Sequence, residues 1–477
     1  MALTRFIFLR FLGFIYLIAF LSLWVQIPGL IGSEGILPAN DFLRIVHTHF
    51  GSSSGALFPT LFWAGSSDLF LQGTAIIGAL TAVLLVAGVF PVLCLGILWA
   101  LYLSYGTVCG DFLHFQWDIL LLESGFLAIF FAPFRFLNKA SDDSGPSRLV
   151  TWLFRWLLFR LMFSSGAVKL LSGDAVWRNL TALTYHYQTQ PLPTWAGWMA
   201  HQLPANFQIF SCALMFLIEL VAPFFIFGPR RFRIAAFFIF TFFQCLILAT
   251  GNYCFFNLLA MALSVLLLDD RFFGRPKAEC RARREWPKLV TIPLAVFILL
   301  LSVAQASYRY RLPHFFEKSL DAFTMKTAPF SFVNSYGLFA VMTTTRPEII
   351  VEGSDDGEHW SAYEFRYKPG DLSRAPMFVE PHQPRLDWQM WFAALGGRRQ
   401  PPWFLAFMRK LLQGSKPVLA LLENNPFRDH PPRFVRAVLY QYHFTNWKEK
   451  KETGHWWART PMRIYCPPIS LESFQRG

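Results

Sequence analysis

Nine apolar runs, most of them close to twenty residues long, fill the first 310 residues, at roughly 6–25, 70–90, 91–108, 117–137, 152–171, 207–227, 234–251, 254–269 and 289–307. A run of about twenty such residues, wound as a helix rising about 1.5 Å per residue, crosses the roughly 30 Å hydrocarbon core of a bilayer. The pattern predicts a membrane protein built as a polytopic α-helical bundle of about nine helices. The runs around Pro91 and around "TGNY" (250–253) can instead turn back as re-entrant pairs, so the number of full spans lies between five and nine. The first run follows Arg5, contains Arg10 and lacks a small-residue cleavage site. It reads as a retained helix with its N-terminus in the cytoplasm rather than a removed leader.

Beyond Tyr308 the period changes. "PEIIVEGSDDGEHWSAYEFRYKPGD" (347–371) holds a β-branched run, an Asp-Gly turn and an alternating aromatic run, and "RFVRAVLYQYHF" (433–444) and "WWARTPMRIYCPP" (456–468) alternate in the same way around a charged "KEKKETG" turn. Period-two alternation bounded by turn residues is the mark of strands. Between them, "RLDWQMWFAALG" (385–396) and "PWFLAFMRKLLQG" (402–414) have the spacing of short amphipathic helices. The chain therefore divides into a helical membrane domain, 1–307, with outside loops at 26–69 and 172–206, and a C-terminal β-rich, sandwich-like domain, 308–477. The first loop is rich in Gly and Ser, and its His47 and His49 read as solvated.

Composition agrees with this picture: 54% of residues are hydrophobic, 18% aromatic and only 15% charged, too few charges for a wet surface. Charge then orients the bundle. The formal +13 resides largely in short connectors, around Arg135, Lys139, Arg148 and Arg155, in "GPRRFR" (228–233), and in the stretch 269–288. With the N-terminus inside, all three fall on the cytoplasmic side, as basic connectors do. An odd number of crossings places the tail on the opposite side, in a lumen or periplasm. No basic stripe interleaves with aromatics, so no nucleic-acid partner is expected. The seven cysteines show no zinc spacing, which leaves no metal site and no cofactor to expect. Cys109 and Cys254 fall near the outside ends of two runs and are candidates for a disulfide. Asn179, in "NLT", is a glycosylation candidate in a eukaryotic source.

The charges within the apolar runs carry the candidate chemistry. Glu123 lies six residues past Trp117, about 9 Å below the outer end of its run, where an unpaired charge costs at least about 2.5–3.5 kcal/mol. Reckoned from the outer ends of the runs, Lys169 comes within reach of Glu123, and Arg160 and Glu219 meet near the midplane. Asp118 lies nearer the headgroups. Two readings stand. In one, both pairs are glue between helices, because buried ions persist chiefly when paired. In the other, Lys169, with Asp118, Tyr185 and His186, lines a polar cavity and does acid–base work. Paired intramembrane charges also suit a transporter, but no inverted repeat is evident.

Several stretches together resemble the lipase maturation factor family: "QWDILLLESGFLAIFFAP", "SGAVKLLSGDAVWRNLTALTYHYQTQPLPTWAGWMAHQLP", "TGNYCFFNLLAMALSVLLLDD", "FVNSYGLFAVMTTTRPEIIVEGSDDGEHWSAYEFRYKPGD", "PHQPRLDWQMWFAALG" and "WWARTPMRIYCPP". They cover about three quarters of the chain, from about residue 110 onward. The resemblance implies a membrane protein of the endoplasmic reticulum that assists the folding and assembly of secreted lipases, with the bilayer and these client proteins as partners. The short form is similar to the bacterial branch, for which the inner membrane would be the location. The family supplies no catalytic residues to carry over, and its client contacts are attributed to the non-cytoplasmic region. There, Trp360, Trp388, Trp391, Trp403, Trp456 and Trp457 are candidate client-binding residues, since large rigid aromatics make good anchors; the domain core or a membrane-contact rim is the other use for each. A weaker similarity of "SSGAVKLLSGDAVW" (164–177) to membrane proteins related to the vitamin K-dependent carboxylase motivates the enzyme alternative, with Lys169 and Glu123 as the acid–base pair.

Overall fold

The computed structural model describes residues 1–140, 145–275, 286–310, 317–397 and 400–474. Cys280 and half of the third basic connector, residues 276–285, lie outside the described residues. Every apolar run is helical: α1 (Ala2–Trp24), α2 (Asp68–Ala87), α3 (Pro91–Cys109), α4 (Gln116–Phe131), α5 (Arg148–Leu171), α6 (Ala205–Leu220), α7 (Arg230–Thr250), α8 (Phe256–Val265) and α9 (Lys288–Tyr310). Local signals set the ends. The Ser67 hydroxyl accepts the Phe70 N–H at the start of α2, Gly88 ends that helix with a left-handed φ of 87°, and Pro91 opens α3.

Among the described residues, six helices are long and apolar enough to cross a membrane: α1, α2, α3, α6 continued by tight turns to Phe227, α7 and α9. The other three differ for visible reasons. Helix α4 has only 16 residues, α8 only 10, and α5 carries Arg148, Arg155, Arg160 and Lys169. The loop 26–69 contains a helix, Ala39–Phe50, whose His47 and His49 are exposed.

The tail holds a four-stranded antiparallel sheet in the order β2-β1-β5-β6, from β1 (Arg346–Ser354), β2 (Ser361–Ala362), β5 (Phe434–Phe444) and β6 (Trp457–Ile469). Beside it is a two-stranded ribbon of β3 (Glu364–Phe365) and β4 (Leu422–Asn424). Strand β1 runs in continuous register with β5, Ile350 opposite Val438, while β6 follows β5 through three register shifts. The packing partners of the sheet are helices more than strands: α10 (Arg385–Leu395) lies against β1 and α11 (Pro402–Leu412) against β5. The charged turn of the sequence is a short helix, Trp447–Thr453, closed by a reciprocal Asn446–Glu449 capping box.

Tail and bundle share one contiguous apolar core, in which Phe8, Tyr102 and Trp117 join Trp388, Phe404 and Phe407. Among the described residues, the contacts of tail residues 377–389 gather at one end of the bundle. There, Ser22 in the last turn of α1, Gln26 just after it, Asp111 and Phe112 after α3, Asp118 in α4 and Asn252 after α7 all bond tail residues 377–389. At the opposite end the terminal ammonium of Met1 pairs with Asp270 at 2.8 Å, and Arg10 donates to the Asn138 carbonyl at 2.6 Å. The N-terminus and the sheet domain therefore stand at opposite ends of the bundle. Because the core is shared, a chain ended after Phe330 should aggregate on size-exclusion in mild detergent where the full chain runs as one species. A well-behaved truncated bundle would contradict the shared core.

Candidate functional site

A non-helical stretch between α9 and β1, residues 331–345, dips from the tail into the bundle beside α4 and α5. The Phe332 ring lies 4.5 Å from that of Phe126, ten residues into α4 and so about 15 Å below its outer end. Irregular backbone at that depth needs internal partners for its polar groups, because no water is present to supply them. Glu123 and Arg160 supply them. One Glu123 oxygen accepts the Asn334 backbone N–H at 2.9 Å, the Asn334 amide at 3.2 Å and the Tyr336 hydroxyl at 2.7 Å. Its other oxygen pairs with the Arg160 guanidinium, which also donates to the Asn334 carbonyl at 3.0 Å. Gly337 then passes close to α5 with a φ of 133°, in a conformation that disfavours side chains and in a space where a Cβ would sit 2.5 Å from Val168.

The second pair is Lys169–Glu219: the ammonium donates to both carboxylate oxygens, at 2.6 and 2.8 Å, with both side chains buried. All four sequence-predicted charges are thus in ion pairs, but with partners exchanged relative to the expected Glu123–Lys169 and Arg160–Glu219. The first reason is angular. Nine residues separate Arg160 from Lys169, so at about 100° per residue they leave opposite sides of α5; α4 packs on one side and α6 on the other. The second is height. The expectation took all outer helix ends as level, whereas Glu219 is fourteen residues into α6 and Lys169 only two residues from the end of α5. Their contact sets the start of α6 roughly 15–20 Å beyond the end of α5. Gly166 permits the approach, since a Cβ there would lie 2.9 Å from the Glu219 Cβ.

Asp118 belongs to a third buried cluster. It accepts Tyr102 Oη at 2.5 Å and both terminal nitrogens of Arg385, at 3.1 and 3.3 Å, and Arg385 also donates to the Phe112 carbonyl at 2.6 Å. A fourth cluster opens β1: Arg346 Nη2 lies 2.7 Å from Glu348, which also holds Lys368 at 3.1 Å. Arg346 further donates to the carbonyls of Gln188, Gln190 and Pro191. Sequence reasoning missed Asn334, Tyr336, Arg346, Glu348, Lys368 and Arg385. The missed basic residues were legible only as polar positions in an apparently wet domain. The available signal was a count, since Asp118 in an apolar run demanded a cation and the runs offered none unassigned at that end of the bundle, Arg10 and Arg155 lying towards the other.

The remaining candidates are distributed differently from expectation. His186 Nε2 lies 3.2 Å from the Tyr253 hydroxyl, which donates to Gln190 at 2.7 Å. Burial, and then the nearby Lys169 ammonium, push His186 down to about 4, so it is neutral at physiological pH. Tyr185 is half-buried in a small cluster around Trp177, while Asp118 bonds Tyr102, Phe115 and Arg385 and neither Tyr185 nor His186. Among the described residues, no hydrogen bond joins Asp118 to the other two. The candidate disulfide is absent: Cys109 and Cys254 are free, buried thiols, each enclosed by the contact between bundle and tail. Asn179 is exposed after the short helix Ala175–Arg178.

Four of the six tryptophans are buried rather than presented to a client. Trp388 packs on Trp117 at 4.7 Å, Trp403 on Phe112 at 5.8 Å, Trp391 donates to the Thr189 carbonyl at 2.9 Å, and Trp457 stacks on Phe444 inside the tail. The first three form the seam between tail and bundle, an environment that alternation along the tail does not reveal. Trp360 and Trp456 remain partly exposed, beneath Arg436 and Lys450 respectively. One further acid lies at the seam: Glu380 accepts the Tyr253 backbone N–H and the Asn257 amide, yet burial pushes it up to about 8.

These features define a class, a polytopic helical membrane protein whose C-terminal sheet domain is keyed into one end of its bundle by buried ion pairs. Residues 3–275 match the family model described as the lipase maturation factor transmembrane domain, and residues 332–467 the one described as the lipase maturation factor C-terminal domain. The chain belongs to the lipase maturation factor family. It is 38% identical to lipase maturation factor 2 of Rattus norvegicus, covering 98% of this chain and 83% of the relative, and 37% identical to that of Homo sapiens with the same coverage. Against lipase maturation factor 1 of Mus musculus it is 34% identical over 99% of this chain and 88% of the relative. No solved structure matches. The two matched regions meet at the site, with Asp118, Glu123 and Arg160 in the first and Asn334, Tyr336 and Arg385 in the second.

Two measurements test this geometry. In double-mutant cycles read by thermal unfolding in detergent, Glu123 with Arg160, and Lys169 with Glu219, should each couple by about 1–3 kcal/mol, and Glu123 with Lys169 by less than about 0.5 kcal/mol. A large Glu123–Lys169 coupling would contradict the exchanged pairing. For Glu380, the folded value near 8 stands above the ordinary 4.5. Between those values the folded chain binds more protons than the unfolded one, so the stability contributed by the neutral carboxyl is lost as pH rises from 4.5 to 8. Glu380→Gln should flatten the slope of stability in that window and leave the variant the more stable of the two at pH 8.

Proposed function

We propose that this chain is a membrane-anchored maturation factor that assists the folding and assembly of secreted lipases, acting through the tail rather than through catalysis in the bundle. The carrying observation is the position of the sheet domain at the end of the bundle opposite Met1 and Asp270. Combined with the basic connectors 135–155 and 228–233, this favours a cytoplasmic N-terminus and a tail in the lumen of the endoplasmic reticulum, or in the periplasm of a bacterial source. There the tail meets secreted enzymes. The relatives' names, lipase maturation factor 1 and 2, support lipases as the clients.

The tail suits a holding role because it is fixed. Its attachment through Arg385, Arg346 and the 331–345 stretch leaves little independent motion, so the partly exposed Trp360 and Trp456 are presented on a stiff support. A rigid aromatic anchor loses little entropy on binding and makes an effective contact for apolar surface on an unfinished protein. The buried tryptophans serve to mount that support.

Expression in cells stripped of their own maturation factors should restore active secreted lipase, and no gain over empty vector would refute the reading. Replacing the buried pair by Lys169→Met with Glu219→Met, an exchange that buried pairs often tolerate, should leave the restored activity within about twofold. A double variant that accumulates normally yet restores nothing would favour acid–base chemistry in the bundle instead.

A further inference from the structure

The start of α6 stands well beyond the end of α5, so the segment 172–204 fills a step beside the outer half of α6 instead of forming a loop in water. Its composition is unusual for a hydrated loop: from Asn179 to Ile218 the chain carries no Asp, Glu, Lys or Arg. Within it the helix Trp195–His201 starts where Thr194 donates to the Ala249 carbonyl near the end of α7, and it leads through Pro204 into α6. Helix α7 has 21 residues, about 31 Å, enough for the hydrocarbon core. The short helix therefore rises from the end of α7, at the level where hydrocarbon meets headgroups, to the start of α6.

One side of this helix is spent on the protein. Trp198 is fully buried against Trp447 and Trp456, at 4.6 and 5.1 Å. The other side presents Trp195, Met199 and Leu203, spaced by four residues and each more than a third exposed. A tail loop joins them. Asn252 accepts the Val379 backbone N–H at 2.7 Å and donates to the Met377 carbonyl at 2.8 Å, and the Phe378 ring lies 5.4 Å from Trp195, with Met377 and Phe378 exposed as well. Below this belt run the exposed rows Phe207, Phe210, Leu214 of α6 and Phe238, Phe242, Leu246 of α7. Those rows are membrane-facing, and the belt continues them without an intervening charge.

We infer that Trp195, Met199, Leu203, Met377 and Phe378 form an interfacial belt inserted into the tail-side leaflet at the boundary of headgroups and acyl chains, so that the sheet domain is held by the bilayer as well as by the bundle. Tryptophan favours that boundary because its ring is amphipathic, and an apolar helix face without charges is buried there at little cost. The occupant is lipid. A client polypeptide on the same face is the competing outcome.

The test uses the full chain in vesicles without any client, so its result is independent of the lipase reading. On a Cys245→Ser background, Met199→Cys or Phe378→Cys is labelled with an environment-sensitive fluorophore, and background labelling of the parent is subtracted. In vesicles whose acyl chains are brominated near the glycerol end, each label should lose more than about half its emission relative to unbrominated vesicles, as a group at the interface would. The same label at Glu358→Cys, on the exposed turn after β1, should lose none. Equal, unquenched emission at 199, 378 and 358 would overturn the inference and leave the face to water or protein. Two belt positions guard against one variant misfolding.

Discussion

The structure depends on a buried ion pair that serves a backbone. Between them Glu123 and Arg160 satisfy both the N–H and the carbonyl of Asn334, in a stretch that enters the bundle without helical hydrogen bonds of its own. Remove the pair and that stretch has unpaired polar groups at membrane depth, each costing on the order of several kcal/mol. Remove the stretch and the pair loses the groups that justify two charges away from water. Each side makes the other tolerable, and the connection between α9 and the sheet domain is fixed in the process.

The same logic recurs at the seam. Asp118 needs a cation, and the one it has comes from α10 in the tail; Arg346, at the first position of β1, gathers carbonyls from the turn 188–191. Charges from two regions remote in sequence neutralise each other across one surface. Apolar contacts such as Trp117 against Trp388 supply area but tolerate sliding, whereas a buried charge accepts only a partner of the opposite sign in a narrow geometry. A buried ion pair adds little net stability over a greasy replacement and much more specificity, and specificity is what docking a sheet onto helix ends requires.

For function, this means that the membrane half is more than an anchor. It sets the height and orientation of the tail, and the burial of Trp388, Trp391, Trp403 and Trp457 shows how much aromatic surface is committed to that mounting. Of the six candidate tryptophans only Trp360 and Trp456 stay partly exposed, while the belt inferred above carries five exposed apolar side chains. Holding a secreted client close to the membrane surface, on a support that cannot itself drift, is a coherent use of this arrangement.

Much of this was present in the linear pattern. The nine helices α1–α9 follow from apolar runs, and the long strands from a β-branched run in β1 and alternation in β5 and β6, because both depend on neighbours within a few residues. That buried charges would pair also follows from solvation alone. The choice of partner does not: Arg160 and Lys169 leave opposite sides of one helix, and only the packing of α4 and α6 on those sides, at unequal heights, assigns Glu123 to the first and Glu219 to the second. Likewise Asn334, Tyr336 and Arg385 look like residues of a hydrated domain until the tail folds back onto the bundle. Sequence by itself determined the elements and the demand for counter-ions, which are local or solvation properties; tertiary structure alone decided who meets whom, since that depends on helix adjacency and relative height, to which no single segment holds the key.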